Sequence, residues 1–235
     1  MTLVVGLRGA GGIVLASDSQ ATYGELKQSQ TKLFKTPYGV IWGSAGPFAA
    51  TQNLYTALEA ADLRPDPPRE EAKARLGKAF RSTIERLREQ DATQSFEALF
   101  AWYDADDKRH YLLRGLRGGQ VEFDRTYGAI GSAESLGRFG FTRNEFLQLR
   151  ALPLETTRLI AYMVAEEAVN ASSKSVDLPI QLAFVSRGQA QVLRSAEVEG
   201  TSNAVGLFRE RQRELLIGDG RPLGSTPRGI RPRGR

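Results

Sequence analysis

Apolar and polar positions alternate along the chain in a way that predicts short strands separated by amphipathic helices. At the N-terminus, apolar runs at residues 2–7 and 13–17 flank a glycine-rich turn at residues 9–12, a pattern typical of a β-hairpin. After a short buried strand at residues 40–44, apolar residues recur at helical spacing over residues 48–62 and again over residues 69–90. The first part of the chain therefore predicts strands followed by two helices.

The same patterns return in the rest of the chain. Strands are expected at residues 95–104, 109–113, 121–123, 127–130, 178–185 and 189–195, and helices at residues 133–149 and 154–172. Residues 204–216 form a mixed amphipathic segment that predicts neither a helix nor a strand. The order is thus strands, two helices, strands, two helices and strands.

This order of elements indicates the fold class. Because successive strands are joined by short turns, the sheets are expected to be mainly antiparallel, and two pairs of helices can cover two outer faces. The pattern predicts an α+β protein built as a four-layer αββα sandwich of two sheets. We expect residues 1–217 to form a single domain, whereas Gly, Pro and Arg dominate residues 218–235 and predict a disordered tail.

Composition narrows the possible chemistry. The 235 residues include no Cys and one His, His110, which excludes a thiol nucleophile, a Cys-ligated metal and a multi-His metal site. We expect neither a metal nor a cofactor. No apolar run approaches the roughly 18–20 residues of a membrane span, and the apolar N-terminus lacks the basic segment of a signal peptide. A cytoplasmic protein without a membrane partner is expected.

Positive charge is concentrated at the C-terminus. Between Asp219 and Arg235, five Arg and one Asp contribute +4 to the net charge of +5, so residues 1–218 carry about +1. A nearly neutral body lacks the basic and aromatic face that would follow a nucleic-acid backbone. Nucleic acid is therefore not the expected partner. Binding of nucleic acid or of an acidic protein through the tail stays an alternative, whose affinity would fall steeply with salt.

Thr2 is the remaining candidate for a nucleophile. The sequence has no G-x-S-x-G elbow and no Walker loop, and His110 is expected to be a surface or hairpin residue. If Met1 is removed, Thr2 carries a hydroxyl and a free α-amine on one residue. Such an amine titrates at about pH 8, so its neutral fraction can take the hydroxyl proton while the oxygen attacks a carbonyl.

Several motifs resemble those of proteasome β-type subunits, which are N-terminal-nucleophile (Ntn) threonine hydrolases. The motifs are Thr2-x-x-x-Gly6, G-I-V-L-A-S-D-S-Q-A-T-Y-G at residues 12–24, Lys32-Leu-Phe, and G-S-A-G at residues 43–46. The D-x-Q-A-T-x-G element resembles the bacterial HslV peptidase. Residues 44–51 and the S-V-D-L-P-I stretch at residues 175–180 are closer to the bacterial ancestral-β group called Anbu. The resemblance implies the Ntn-hydrolase fold.

The resemblance also implies roles for individual residues. Thr2 matches the nucleophile, and Asp18 matches the aspartate that holds and balances the catalytic lysine. Lys32 best matches that lysine, with Lys35 as a competitor because the segment after Asp18 is shorter than in the family pattern. Gly46 matches the glycine whose N–H contributes to the oxyanion hole.

Further positions carry weaker matches. Ser132 matches the family serine beside the nucleophile, although it also suits the N-cap of the following helix. Asp177, with Ser175, matches the last family element, and the alternative for Asp177 is a turn residue before Pro179. For substrate binding, the resemblance assigns Ala21 and Thr22 to pairing with an extended peptide, and Ser44 and Phe48 to the first specificity pocket.

These matches predict a threonine endopeptidase that hydrolyses peptide bonds of peptides or unfolded proteins through an acyl-enzyme on Thr2. The family implies a self-compartmentalising homo-oligomeric ring. Because the chain has no Walker motif, any ATPase unfoldase would be a separate partner. Two alternatives stay open: an amide ligase or transferase that uses the same Thr2 nucleophile, and a non-catalytic β-type scaffold subunit.

Overall fold

The two apolar runs at the N-terminus lie at the centre of a β-sheet. The computed structural model describes residues 2–23, 26–91, 93–124, 126–172 and 179–217. The strands are β1 (Leu3–Arg8), β2 (Ile13–Ser17), β3 (Gln20–Tyr23), β4 (Leu26–Ser29), β5 (Leu33–Lys35), β6 (Ile41–Ala45), β7 (Glu97–Asp104), β8 (Arg109–Gly115), β9 (Val121–Asp124), β10 (Tyr127–Gly131), β11 (Gln181–Ser186) and β12 (Gln189–Val192). The helices are α1 (Phe48–Glu59), α2 (Arg69–Gln90), α3 (Glu134–Arg143), α4 (Leu154–Ala171) and α5 (Ser195–Ile217).

Ten of these strands form two five-stranded sheets. The first sheet has the order β10-β1-β2-β11-β12, and the second has the order β5-β6-β7-β8-β9, while β3 and β4 pair separately as a hairpin. The strand pairs of the described residues are all antiparallel. Val4 of β1 pairs with Ser17 of β2. This register brings Thr2, just before β1, close to Asp18, just after β2.

Three apolar clusters define the layers. Leu3, Val5 and Leu7 pack with residues of α3 and α4 on the outer face of the first sheet. Val4 points to the opposite face and belongs to the cluster between the two sheets. A third cluster joins the outer face of the second sheet to α1 and α2 through residues such as Trp42. The alternation along β1 follows from its period of two, and the predicted α+β sandwich of two antiparallel sheets between helices is confirmed.

The helix predictions are confirmed most closely where the apolar spacing is regular. The predicted helix over residues 69–90 has those bounds in α2, and its apolar residues Leu76, Phe80, Ile84 and Leu87 are buried. The helix predicted over residues 48–62 ends earlier, at Glu59. The helix predicted over residues 133–149 is shorter: α3 ends at Arg143, and two 3₁₀ turns follow with Gln148 in a left-handed conformation between them.

The C-terminal part of the described chain differs most from the sequence prediction. Residues 204–216 belong to a single long helix, α5, which begins at Ser195. The strand predicted over residues 189–195 is correspondingly shorter and ends at Val192. Among the described residues, no helix combines the length and apolar character needed to cross a membrane. The expected tail at residues 218–235 lies outside the described residues.

Candidate active site

Thr2 lies at the open start of β1, where Ser132 contacts its backbone on both sides. The Thr2 nitrogen donates to Ser132 Oγ at 3.1 Å, and the hydroxyl of Ser132 donates to the Thr2 carbonyl oxygen at 3.4 Å. Ser132 is exposed and lies between β10 and α3. The alternative interpretation of Ser132 as a helix N-cap is wrong, because Ala133 occupies that position and no side chain caps α3.

Asp18 is fully buried and each of its carboxylate oxygens is hydrogen-bonded. Oδ1 accepts from the backbone N–H of Leu3 at 2.8 Å, and Oδ2 accepts from the N–H of Gln20 at 3.0 Å. Oδ2 also accepts from Lys32 Nζ at 2.7 Å. The carboxylate therefore joins the strand that begins next to Thr2 to the buried ammonium of Lys32.

Lys32 is the lysine that meets Asp18, and Lys35 is not. Lys32 is buried in the ion pair, whereas Lys35 ends β5 with its side chain exposed. The backbone of Lys32 is also fixed, because its N–H donates to Gln181 Oε1 at 2.9 Å. The amide nitrogen of Gln181 in turn donates to the Gln30 carbonyl at 2.5 Å. Sequence reasoning missed Gln181, which lies 149 residues from Lys32 and belongs to no local motif.

Burial dominates the electrostatics of this pair. It raises the pKa of the Asp18 carboxyl, although the Lys32 ammonium and the N–H groups of Leu3 and Gln20 oppose the shift. It lowers the pKa of Lys32, a shift that the Asp18 carboxylate opposes. Each charge is therefore tolerated in the interior because the other lies beside it.

A cavity of about 310 Å³ opens beside Thr2. Its lining residues are Thr2, Ala45, Gly46, Ser95, Glu97, Arg117, Gly131 and Ser132. Two of the glycines have positive φ values, 139° at Gly46 and 95° at Gly131. A Cβ at Gly131 would lie 2.1 Å from the Thr2 carbonyl oxygen, and one at Gly46 would lie 2.6 Å from the Ser95 carbonyl oxygen. Both positions therefore require glycine.

Glu97 and Arg117 form an ion pair on the wall of this cavity, and sequence reasoning missed both. Glu97, at the start of β7, is buried; its Oε2 accepts from the backbone N–H of Gly131 at 3.0 Å. Its Oε1 accepts from Arg117 Nε at 3.3 Å. The Arg117 side chain is 63% exposed. A carboxylate followed directly by the apolar and aromatic run at residues 98–103 was the available signal in the sequence.

The structure does not bring every predicted site residue to the cavity. Ser44 is buried and its hydroxyl contacts Thr51 Oγ1 of α1 at 2.9 Å, and Phe48, at the start of α1, is 43% exposed; neither lines the cavity at Thr2. Ala21 and Thr22 lie in β3, paired with Gln28 and Lys27. Asp177 and its neighbour Ser175 lie outside the described residues.

His110 has no part in this site. It belongs to β8 and lies opposite Tyr103, with the two ring centroids 5.0 Å apart. Burial and the neighbouring Arg8 guanidinium lower the pKa of His110 to about 4. Among the described residues, no group of three or more His, Asp or Glu side chains is arranged to hold a metal ion.

The fold and the comparison with protein families define the class of protein. Residues 2–172 match the family model of the proteasome subunit, and the chain belongs to the proteasome family. No curated protein matches the sequence. The paired antiparallel sheets between helices are the Ntn-hydrolase arrangement of that family.

Solved structures with a similar fold include Anbu proteins. The Anbu (Gly-1) mutant from Hyphomicrobium sp. strain MC1 and Anbu (ancestral beta-subunit) from Yersinia bercovieri each give a TM-score of 0.71 at 20% identity; the alignments cover 94% of this chain and 99% and 100% of those chains. The Anbu complex from Pseudomonas aeruginosa, described as a helical assembly, gives 0.71 at 18% identity and covers 94% of this chain and 98% of its own. At these identities the likeness is one of fold.

Proposed function

We propose that this protein is a threonine peptidase whose nucleophile is Thr2 after removal of Met1. The observation that carries the proposal is the buried Asp18–Lys32 ion pair next to the start of β1, together with the contact between the Thr2 nitrogen and Ser132. A buried pair of opposite charges at the end of a strand costs desolvation, and a scaffold alone does not need it. Catalysis does use such a pair, because it fixes a positive charge beside the nucleophile.

In the proposed reaction, the free α-amine of Thr2 takes the proton of the Thr2 hydroxyl while Oγ attacks the carbonyl carbon of a peptide bond. The positive charge of Lys32 stabilises the developing alkoxide and lowers the pKa of the amine by like-charge repulsion. The N–H of Gly46 is the proposed donor to the oxyanion. The protonated α-amine of Thr2 then returns its proton to the leaving nitrogen. Water hydrolyses the resulting Thr2 ester and releases the acyl fragment.

Ser132 and Asp18 act as positioning residues in this scheme. The hydroxyl of Ser132 is already within hydrogen-bond distance of the nitrogen that becomes the base. Asp18 holds Lys32 through Oδ2 and the β1 backbone through Oδ1, so it sets the ammonium relative to the nucleophile. Asp177 is proposed to complete the network. An extended peptide substrate is proposed to pair with the backbone at Ala21 and Thr22, with Ser44 and Phe48 near its first side-chain pocket.

The proposed working form is a homo-oligomer that encloses its sites, either as a closed ring or as a helical stack. The helical assembly of the Anbu complex from Pseudomonas aeruginosa supports self-association. Exposed aromatic residues support it as well: Phe139 on α3 and Phe146 just after it are 66% and 77% exposed. Large apolar side chains at the surface are typical of protein interfaces. Sedimentation of the purified protein tests the proposed state, and a monomer at micromolar concentration contradicts it.

The decisive experiment compares the wild type with Thr2→Ala and Thr2→Ser on unstructured fluorogenic peptides. We expect Thr2→Ala to lose activity by about 10³-fold or more, because it lacks the nucleophile, and Thr2→Ser to retain measurable turnover. The intact mass of each preparation establishes whether Met1 is absent. Equal turnover by the wild type and Thr2→Ala contradicts the peptidase proposal, and active protein that retains Met1 contradicts the amine as base. A competing amine in the assay separates hydrolysis from acyl transfer.

A further inference from the structure

The charged wall of the Thr2 cavity has no role in the proposed hydrolysis. Glu97 is held rigidly, since both of its carboxylate oxygens are hydrogen-bonded, one to the Gly131 backbone and one to Arg117. Arg117 uses only its Nε in this pair. Its two terminal nitrogens make no hydrogen bond to any residue that the structure describes, and the side chain is largely exposed. The guanidinium is thus oriented by Glu97 while its outer edge stays available.

The turn that carries Arg117 is also well defined. It connects β8 to β9, and two backbone hydrogen bonds close it: Leu116 N–H donates to the Gln120 carbonyl, and Gly119 N–H donates to the Leu116 carbonyl. The carbonyl oxygen of Arg117 itself accepts from Arg88 Nη2 of α2. These hydrogen bonds therefore hold the backbone of Arg117 in place beside the cavity.

The chemistry of an amine base tells which part of a substrate faces this wall. The Thr2 nitrogen that takes the hydroxyl proton must return it to the leaving amine, so the leaving group lies on the side of that nitrogen. Ser132 contacts the same nitrogen, and Gly131, which precedes Ser132, donates its N–H to Glu97. The side of the cavity that carries the charged wall therefore faces the leaving group. It is lined by Ser132, Gly131, Glu97 and Arg117.

We propose that Arg117, oriented by Glu97, binds a carboxylate of the leaving group, so that the preferred substrates carry a negative charge on the first residue after the cleaved bond. This inference rests on the proposed Thr2 mechanism. The two free terminal nitrogens of a guanidinium match a carboxylate in a bidentate, charge-assisted arrangement. The cavity of about 310 Å³ has room for a substrate residue beside Arg117.

A carboxylate at this place can come from the C-terminus of a substrate or from an Asp or Glu side chain. Four peptides with the same acyl part distinguish the sources. Two end in a single alanine after the cleaved bond, one with a free carboxylate and one amidated. The other two are amidated and carry Glu or Gln at that position. Measurement of kcat/KM for all four, with the wild type, gives one ratio for each source.

We expect the charged peptide of at least one pair to be preferred by about tenfold, which corresponds to about 1.4 kcal/mol. Arg117→Met should reduce that ratio to about one, and raised ionic strength should reduce it in the wild type. Arg75→Met is the matched control: Arg75 is exposed on α2 and does not line the cavity, so this variant should keep the wild-type ratio. Equal kcat/KM values within both pairs in the wild type overturn the proposal.

A binding measurement keeps this inference separate from the peptidase proposal. Calorimetry with Thr2→Ala measures the affinity of each uncleaved peptide without any turnover. Tighter binding of a charged peptide, lost in the Thr2→Ala, Arg117→Met double variant, supports carboxylate recognition even if the wild type cleaves nothing. Equal affinities within both pairs overturn carboxylate recognition even if the wild type proves to be an active peptidase.

Discussion

Two ion pairs near Thr2 are built in opposite ways. Asp18–Lys32 is buried on both sides, with side-chain exposures of 0% and 7%, and backbone N–H groups complete the hydrogen bonding of its carboxylate. In Glu97–Arg117 the carboxylate is nearly as buried, at 10%, while the guanidinium is 63% exposed. The first pair is closed to solvent and to ligands, and the second is open on one side.

This difference separates two tasks that charges can perform at a site. A closed pair is screened much less by salt and holds its charges in fixed positions, but it costs desolvation and depends on both partners. A half-open pair contributes little to stability, since its cation is hydrated. It keeps hydrogen-bond donors available for a ligand. We therefore expect substitutions to separate stability effects at the first pair from specificity effects at the second.

The largest effect is expected from breaking the closed pair on one side. Asp18→Asn leaves the buried ammonium of Lys32 without its counter-charge and should lower the free energy of unfolding by about 3–5 kcal/mol. In the Asp18→Asn, Lys32→Met double variant no buried charge is left uncompensated, so part of that loss should be recovered. Urea denaturation of the wild type, both single variants and the double variant gives the coupling between the two residues. Purely additive losses would show that the two charges do not depend on each other.

A somewhat smaller effect is expected at the backbone that anchors the half-open pair. In Gly131→Ala, the new Cβ would overlap the Thr2 carbonyl oxygen in a left-handed backbone conformation, which should cost about 2–4 kcal/mol. The matched control is Gly188→Ala. Gly188 also has a positive φ, 70°, but open space around its Cβ position, so this change should cost about 1 kcal/mol. Similar urea midpoints for the two variants would contradict the close approach of β10 to Thr2.

Removal of the exposed cation should change stability least. Arg117→Met breaks an ion pair whose cation is mostly hydrated, and we expect a loss of less than about 1 kcal/mol. Glu97→Gln should cost more than Arg117→Met, because the buried Gln side chain would have a single acceptor oxygen for the two donors, Gly131 N–H and Arg117 Nε, that Glu97 satisfies. The same urea titrations measure both values. A loss at Arg117→Met as large as that at Asp18→Asn would remove the distinction between the two pairs.

The dependence of stability on pH also distinguishes the two ion pairs, through the direction of the change with pH. Because the pKa of Lys32 in the folded protein is lowered from 10.5, the unfolded chain binds more protons than the folded chain as pH approaches 10.5 from below. The Lys32 contribution to stability therefore rises with pH in this range and is lost as pH falls. Relative to Lys32→Met, the wild type should gain stability as pH rises toward 10.5, whereas Arg117→Met should follow the wild-type curve. Parallel curves for the wild type and Lys32→Met would contradict a lowered pKa.

Local sequence patterns were sufficient to predict the elements whose apolar positions follow a regular pattern. The apolar runs of β1 and β2 and the regular apolar stripe of α2 gave bounds close to the observed ones. Helix α5 was different. Gly200 and Gly206 lie within it and weaken its helical propensity, while a few residues such as Val198 and Val205 are buried against the rest of the molecule. Tertiary packing rather than local preference decides its conformation.

The residues of the candidate site also fall into those that local sequence predicts and those that depend on tertiary packing. Asp18 and Lys32 could be predicted because they lie in a motif close to the N-terminus, and their contact is the one the motif implied. Glu97 and Arg117 are 20 residues apart on β7 and the turn after β8, and Gln181 meets the Lys32 backbone from a distant strand. No short sequence pattern records these contacts, because they depend on the register of strands that pair across the second sheet and on the packing of the two sheets.

The double contact of Ser132 with the backbone of Thr2 has a consequence for maturation. While Met1 is attached, the nitrogen near Ser132 is an ordinary peptide nitrogen that donates its hydrogen and has no basicity. In the proposed mechanism, excision of Met1 would turn that same atom, already within hydrogen-bond distance of Ser132, into a primary amine. The folded chain that still carries Met1 would therefore already have the shape of the proposed active site and lack only its proton acceptor. Activation would then be a chemical change at one nitrogen atom rather than a conformational change.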